Sequence, residues 1–387
     1  MKRTLRIAMR LLVVVAIVLA GLAIWKRDEI KRLLAVNSLF AEDRIVANFS
    51  GMDAAFLTVP VLAGTDTSAL PQGPATTLPD TATNWIKDRH ITGLVVLKDG
   101  QIAAEQYHHS TAPDDLRINW SVSKSYLSAL LGVLIARGEI STIDERVTHY
   151  VPALKGSAYN KATIKDVLQM SSGVRFNEDY LDQSSDINRM GRVLALGRSM
   201  DGFTQGLIEQ DAEPGARWQY VSIDTHVIGM VIRGATGRSI PDLLSEHIIG
   251  PMGVERAPYF LTDGYGVSFV LGGLNTTTRD NARFGQMIAQ GGQWNGQQIV
   301  PADWISESTG ASAKTAQGAI GYGYQWWVPE GSDEGQFMAR GIYGQYIFID
   351  RTRNVVIAVH AADRGFRQPG VADQNIAMFR AIAQGFD

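Results

Sequence analysis

Ser121 and Lys124 stand three residues apart in Asn119-Trp120-Ser121-Val122-Ser123-Lys124-Ser125, at the head of an apolar run, and no other Ser-x-x-Lys occurs in the chain. Residues three apart share a helix face, so the amine can reach the hydroxyl. A serine becomes a nucleophile when a base lies within hydrogen-bond reach, and an amine becomes that base when burial or neighbouring cations lower its pKa. The chemistry would be attack on a carbonyl carbon. Ser121 also suits an N-cap for the helix that follows, so the pair alone leaves both readings open.

A third group stands further along, in Pro214-Gly215-Ala216-Arg217-Trp218-Gln219-Tyr220-Val221-Ser222, where a Tyr-x-Ser follows a Pro-Gly turn and precedes a second apolar helix. A phenol partly ionised beside a lysine ammonium can take a proton and later deliver it to a leaving group. Read alone, Tyr220 is equally a core tyrosine with a satisfied hydroxyl. Other chemistries find less support. With no cysteine in the chain, thiol nucleophiles, Cys-ligated zinc and disulfide frameworks are excluded. The seven histidines show no metal-binding spacing, and no Gly-x-Ser-x-Gly elbow or dinucleotide fingerprint is present. No metal and no cofactor are expected.

These residues need a scaffold, and the chain is long enough to supply one. Its 387 residues, 45% hydrophobic, suffice for one large domain or two smaller ones. Lys plus Arg is 36 against 39 Asp plus Glu, and without a basic patch a nucleic-acid partner is not expected. Ile91 to Lys98 and Gln101 to Tyr107 read as strands joined by an Asp99-Gly100 turn. Tyr343 to Ile349 and Val355 to His360 repeat that pattern near the C-terminus, before a terminal helix over Val371 to Phe386. The middle reads as helical over Ser123 to Arg137, Thr163 to Met170, Asp224 to Thr236, Ile240 to Ile248 and Thr278 to Gln290. Strands at both ends around a helical middle predict an α+β fold with an antiparallel sheet.

Taken in order, the motifs resemble the serine β-lactamase and penicillin-binding-protein superfamily, in its class C-like branch of esterases, D,D-peptidases and 6-aminohexanoate-oligomer (nylon oligomer) hydrolases. Ser121-x-x-Lys124 looks like the first motif and Tyr220-x-Ser222 like the second; Asp166 to Gly173 and Gly272-Gly273-Leu274-Asn275 with Arg279-Asp280 are further landmarks. The resemblance implies a class C β-lactamase-like fold over residues 85–387, an antiparallel sheet flanked by helices with a mostly helical subdomain at roughly 140–265. It also implies a Ser121 acyl-enzyme, with Lys124 and Tyr220 as the proton-transfer network.

The third motif departs from the family's Lys-Thr-Gly or His-x-Gly. Aligning Ala339-Arg340-Gly341 with it makes the Ile342 N–H the partner of the Ser121 N–H in the oxyanion hole; a slip to Ile342-Tyr343-Gly344 would move that donor to Gln345. Lys314-Thr315-Ala316 lies too early in the chain to serve. The missing cation removes the usual partner of a β-lactam carboxylate. Gly341 to Gln345, Gly321 to Trp327 and Glu178-Asp179-Tyr180 look most like the nylon-oligomer hydrolase and esterase branch, which implies substrate contacts at Tyr180 and Trp327. Asp182 and Asp186 read as solvated loop carboxylates or as partners for a substrate amine.

Residues 1–32 carry an uncharged run from Leu11 to Trp25 with basic flanks. Counted from Ile7, with Arg10 snorkelling, it rises roughly 28 Å as a helix, close to a bilayer core. A single transmembrane anchor is expected, with a cleaved secretory signal as the alternative; residues 33–84 read as a linker or extended arm. The whole is expected to be a serine hydrolase of small amides or esters, single-pass in the inner (cytoplasmic) membrane, with a catalytic domain that the resemblance implies is periplasmic or extracellular. The competing readings are a D,D-peptidase or β-lactamase-like protein acting on peptidoglycan, and a non-catalytic scaffold or sensor on the same fold.

Overall fold

Alternation along the strands sets how the main sheet is covered. The computed structural model describes residues 2–386. Seven antiparallel strands lie in the spatial order Gln101–Tyr107, Ile91–Lys98, Val355–Ala361, Gln345–Asp350, Gln336–Gly341, Trp327–Val328 and Gly321–Tyr322. Leu94, Val96, Phe348 and Ile357 point to one face, against Phe379 and Ile382 of the Val371–Gln384 helix. Val95, Leu97, Ile347 and Val356 point to the other and join the larger core with Phe284 and Met287 of the Thr278–Ala289 helix. Each buried aliphatic or aromatic side chain there contributes roughly 1.5–3 kcal/mol. A Cβ on Gly285 would meet Ile347 and Val356 at 2.6 Å, which explains how that helix lies so close to the sheet.

The Asp99-Gly100 turn has positive φ at both residues, 52° and 76°, as a two-residue hairpin loop requires. The turn closes the N-terminal hairpin, whose Ile91–Lys98 strand pairs antiparallel with Val355–Ala361 of the C-terminal one, so the two ends of the chain build one sheet. A second sheet, ordered Thr58–Pro60, Tyr259–Leu261, Leu274–Thr276 and Arg117–Ile118, ends directly before the Ser121 turn. The intervening helices include Ser123–Ala136, Asp186–Ala195 and Ser222–Thr236. The helix expected over Ile240 to Ile248 runs only over Ile240–Leu244, continuing as a wider π turn at Ser245–Ile249.

The stretch 33–84 is more structured than a linker. Helices Arg27–Ser38, Ile45–Ser50 and Met52–Ala55 precede the Thr58–Pro60 strand, and Ile45, Phe49, Met52 and Phe56 are buried in the main core. Their spacing is helical, a signal outweighed in the sequence by the Thr, Pro and Gly of the residues that follow. From Val61 onward the chain is laid along the domain, with Val61 N–H donating to Pro258 O at 2.8 Å and Gly73 N–H to Ile102 O at 3.0 Å.

Among the described residues one helix, Lys2–Trp25, is long and apolar enough over Thr4–Trp25 to cross a membrane. At the N-terminus, a signal sequence meets the same criterion.

Candidate active site

The Arg117–Ile118 strand delivers the chain to Ser121 through a constrained turn. Asn119 N–H donates to Leu274 O at 2.9 Å, and the Asn119 Oδ1 accepts from Asn281 Nδ2 at 2.8 Å and Thr276 Oγ1 at 3.1 Å. His360 Nε2 lies 2.9 Å from the same oxygen, and burial holds that imidazole down to about 3 and therefore neutral. Trp120 then takes a left-handed φ of 46°, a costly conformation for a bulky residue that persists only when its surroundings impose it. Ser121 follows in the 3-10 turn Trp120–Val122 that leads into the Ser123–Ala136 helix.

That helix carries Lys124 beneath the serine, almost wholly buried. Its Nζ donates to Ser121 Oγ at 2.8 Å, Leu271 O at 2.6 Å and Ser222 Oγ at 3.3 Å. Burial pulls the amine down to about 7, against the opposing pull of Glu178. The free base is therefore far more accessible near neutral pH than in an exposed lysine. Tyr220 stands beside it, its ring centre 5.4 Å from Lys124 Nζ, stacked at 5.1 Å on Trp327. Burial drives the phenol well above its usual range and Glu178 adds to this, while Ser121, Arg340 and Ser222 pull it back. The sequence reading paired a partly ionised phenol with an ammonium; desolvation pulls both groups the other way, toward a protonated phenol and a free amine.

Glu178 ties the second motif to the loop before it. Its carboxylate accepts from Ser222 N–H at 3.0 Å, from the Ser222 hydroxyl, and from Tyr180 Oη at 2.7 Å. A carboxylate at the start of the Ser222–Thr236 helix complements the helix dipole. The sequence showed Glu178 only as a neighbour of Tyr180, because its partner is 44 residues away. Within the first turn of that helix, fully buried Asp224 accepts from Ser172 Oγ at 2.7 Å and Tyr159 Oη at 2.8 Å, and burial raises it to about 7.

The third motif closes on the serine from the sheet. A Cβ on Gly341 would lie 2.7 Å from Asn119 O and 3.1 Å from Ser121 N, so the strand end passes directly over the nucleophile's backbone. Ile342 follows at the start of a short turn, where its N–H has no acceptor within the turn, and it lines the same cavity as Ser121. Gln345 instead pairs across the ladder with Gly341, and its side chain donates to Ile342 O at 3.2 Å, Tyr343 O at 3.1 Å and Ala361 O at 2.8 Å. That amide pins the turn, a role that motif alignment does not reveal. Arg340 lies 5.6 Å over the Trp327 ring, and Lys314 donates from an exposed loop to Gly215 O at 2.8 Å.

Residues 78–378 match the family model described as Beta-lactamase. The chain belongs to this family. The β-lactamase-family chain is 30% identical over 299 residues to the 6-aminohexanoate-dimer hydrolase of Paenarthrobacter ureafaciens, covering 73% of this chain and 75% of that protein. A solved structure from Bacillus anthracis, provisionally described as a 6-aminohexanoate-dimer hydrolase, superposes with a TM-score of 0.81 at 23% identity, over 89% of this chain and 95% of that one. A family VIII carboxylesterase shares the fold at a TM-score of 0.60 and 17% identity, over 81% and 99% of the two chains. The protein is a serine hydrolase with a class C β-lactamase-like fold, homologous to the 6-aminohexanoate-dimer hydrolase.

In this β-lactamase-family hydrolase a cavity of about 110 Å³ adjoins Ser121, lined also by Tyr180, Ser222 and Ile342. Trp327 is not among the lining residues; it backs the Tyr220 ring instead. Asp182 accepts from Ser184 and Asp186 pairs with Arg189 at 2.8 Å, and neither lines the cavity. No group of three or more His, Asp or Glu side chains among the described residues is arranged to hold a metal ion.

Proposed function

We propose that the protein hydrolyses small carboxylic esters or amides through a Ser121 acyl-enzyme. The observation that carries this reading is the buried Lys124 amine, held near neutrality 2.8 Å from the Ser121 hydroxyl. Neutral Lys124 takes the hydroxyl proton as Ser121 Oγ attacks the carbonyl carbon. The developing oxyanion is met by the N–H groups of Ser121 and Ile342. Tyr220, protonated, delivers its proton to the leaving nitrogen or oxygen as the bond to the acyl carbon breaks, and the Lys124 ammonium restores it. Water then attacks the acyl-enzyme by the reverse use of the same groups.

Two further parts of this reading draw on the sequence and the relatives. An amide substrate class is supported by the 6-aminohexanoate-dimer hydrolase relative, and an ester class by the fold shared with the carboxylesterase. The apolar N-terminal helix supports a single-pass anchor in the inner membrane; its basic flanks carry four residues on each side and do not set the orientation, and a periplasmic or extracellular catalytic domain follows from the family resemblance alone. Intact mass of the isolated protein distinguishes an anchor from a removed signal.

The test is a fluorophosphonate label with p-nitrophenyl acetate, 6-aminohexanoate dimer and nitrocefin, on wild type and Ser121→Ala. Label at Ser121 and turnover lost in the variant are expected. Turnover and labelling unchanged in folded Ser121→Ala would overturn Ser121 as nucleophile, and no label and no turnover in either folded protein would leave a scaffold.

A further inference from the structure

The cavity beside Ser121 has an unusual source for one wall. Leu39, Phe40, Met52 and Phe56 come from the segment that directly continues the apolar N-terminal helix, and Met190 and Leu194 face them from the Asp186–Ala195 helix. None of the lining residues is charged. The lining amide, Asn188, spends its Nδ2 within its own loop, on Asp182 O at 2.8 Å and Tyr180 O at 3.1 Å. The loop carboxylates that could meet a substrate amine are turned away: Asp186 accepts from Asn177 N–H at 2.9 Å and pairs with Arg189, and Asp182 accepts from Ser184.

Tyr220 is absent from this lining. A leaving group that takes its proton from Tyr220 therefore departs on another side of Ser121, which leaves the cavity to the acyl part. We propose that the substrate's acyl group is an uncharged aliphatic chain of about four to six carbons, seated in this cavity against the Leu39–Phe40 wall. The inference rests on the proposed roles of Ser121 and Tyr220, and goes beyond them in naming the acyl class.

The physical argument has two parts. An apolar cavity of roughly 150 Å³ takes the six carbons of benzene, so one of about 110 Å³ takes about four carbons beyond the carbonyl. Each methylene taken from water into such a lining favours binding by about threefold to fourfold until the cavity is full. An ω-ammonium in the same place would be desolvated without direct contact with a carboxylate, since Glu178 lies behind the Tyr180 and Ser222 hydroxyls and already accepts from both, and this is disfavoured far more strongly. Phe40 also borders a wider groove that shares Val36 and Tyr180 with the cavity, so this ring limits how far a chain extends.

The experiment uses the full chain in lipid nanodiscs, with p-nitrophenyl esters from acetate to dodecanoate and the 6-aminohexanoate ester, against Ser121→Ala as blank. Expected is a rise in kcat/KM of at least tenfold from acetate to hexanoate, a fall by dodecanoate, and at least 100-fold lower kcat/KM for 6-aminohexanoate than for hexanoate. Phe40→Ala moves the optimum to longer chains. A flat chain-length profile, or 6-aminohexanoate as good as hexanoate, with turnover still abolished by Ser121→Ala, overturns this acyl assignment and leaves the hydrolase reading standing. Ester turnover that survives Ser121→Ala overturns both.

Discussion

Gly341 lies so close to Ser121 that a methyl group on it would stand 3.1 Å from the serine nitrogen and 2.7 Å from Asn119 O. The sheet can therefore present the Ile342 N–H over the nucleophile only with glycine at this position. Gly341→Ala should displace the strand end by a fraction of an ångström, lower kcat by about 10²–10³-fold and slow fluorophosphonate labelling in proportion. Thermal unfolding should change by only a few degrees. Wild-type kcat in the folded variant would show that this approach does not matter to catalysis.

Acylation should depend on a group that titrates near neutrality. Lys124 acts as the free amine and burial brings it to about 7, so kcat/KM should rise with pH and level off above that value. Glu178 holds the amine higher than burial alone would. Glu178→Gln should therefore shift the rising limb to lower pH, by about one unit as an order of magnitude. A limb that moves upward, or stays in place, contradicts the electrostatic assignment.

Asp224 gives stability a slope of its own. Its folded-state pKa is raised to about 7 from an ordinary value of 3.8, so the folded protein binds this proton more tightly than the unfolded chain. Its contribution is fully present below about pH 4 and is lost as pH rises through about 7, amounting to on the order of 4 kcal/mol. Asp224→Asn should remove that slope. Urea unfolding of both proteins across this window checks it, and parallel curves would rule the titration out.

Asn119→Ala should damage both fold and site. The substitution removes the oxygen that accepts from Asn281 Nδ2 and Thr276 Oγ1, leaving the first only His360 Nε2 at 3.1 Å and the second only Asn281 Oδ1 at 2.9 Å, at about 1 kcal/mol for each bond lost. It also frees the turn that holds Trp120 at positive φ. Lower Tm together with a kcat reduced about tenfold or more is expected. Loss of Tm alone would make Asn119 structural and nothing else.

Local signals carried much of the sequence reading. The two hairpins, the Asp99-Gly100 turn and the amphipathic Thr278–Ala289 helix depend on neighbours in sequence, and each forms within a residue or two of its expected limits. The Ser121–Lys124 approach was legible for the same reason, since three residues along a helix fix it. Glu178, Asn119 and Gln345 were silent because their partners lie on other elements, which pattern alone cannot bring together. How far burial pulls Lys124 down and pushes Tyr220 up was not legible, because spacing carries no information about desolvation.

The Arg27–Ser38 helix follows the apolar N-terminal helix after a single residue and ends beside the cavity wall at Leu39. Its twelve residues span about 18 Å. With the N-terminal helix in a bilayer, so short a tether turns a search through three dimensions into one along a surface. The chance of meeting a substrate would then follow how strongly that substrate partitions to the membrane, and two esters of equal reactivity would be consumed at different rates according to lipid affinity alone.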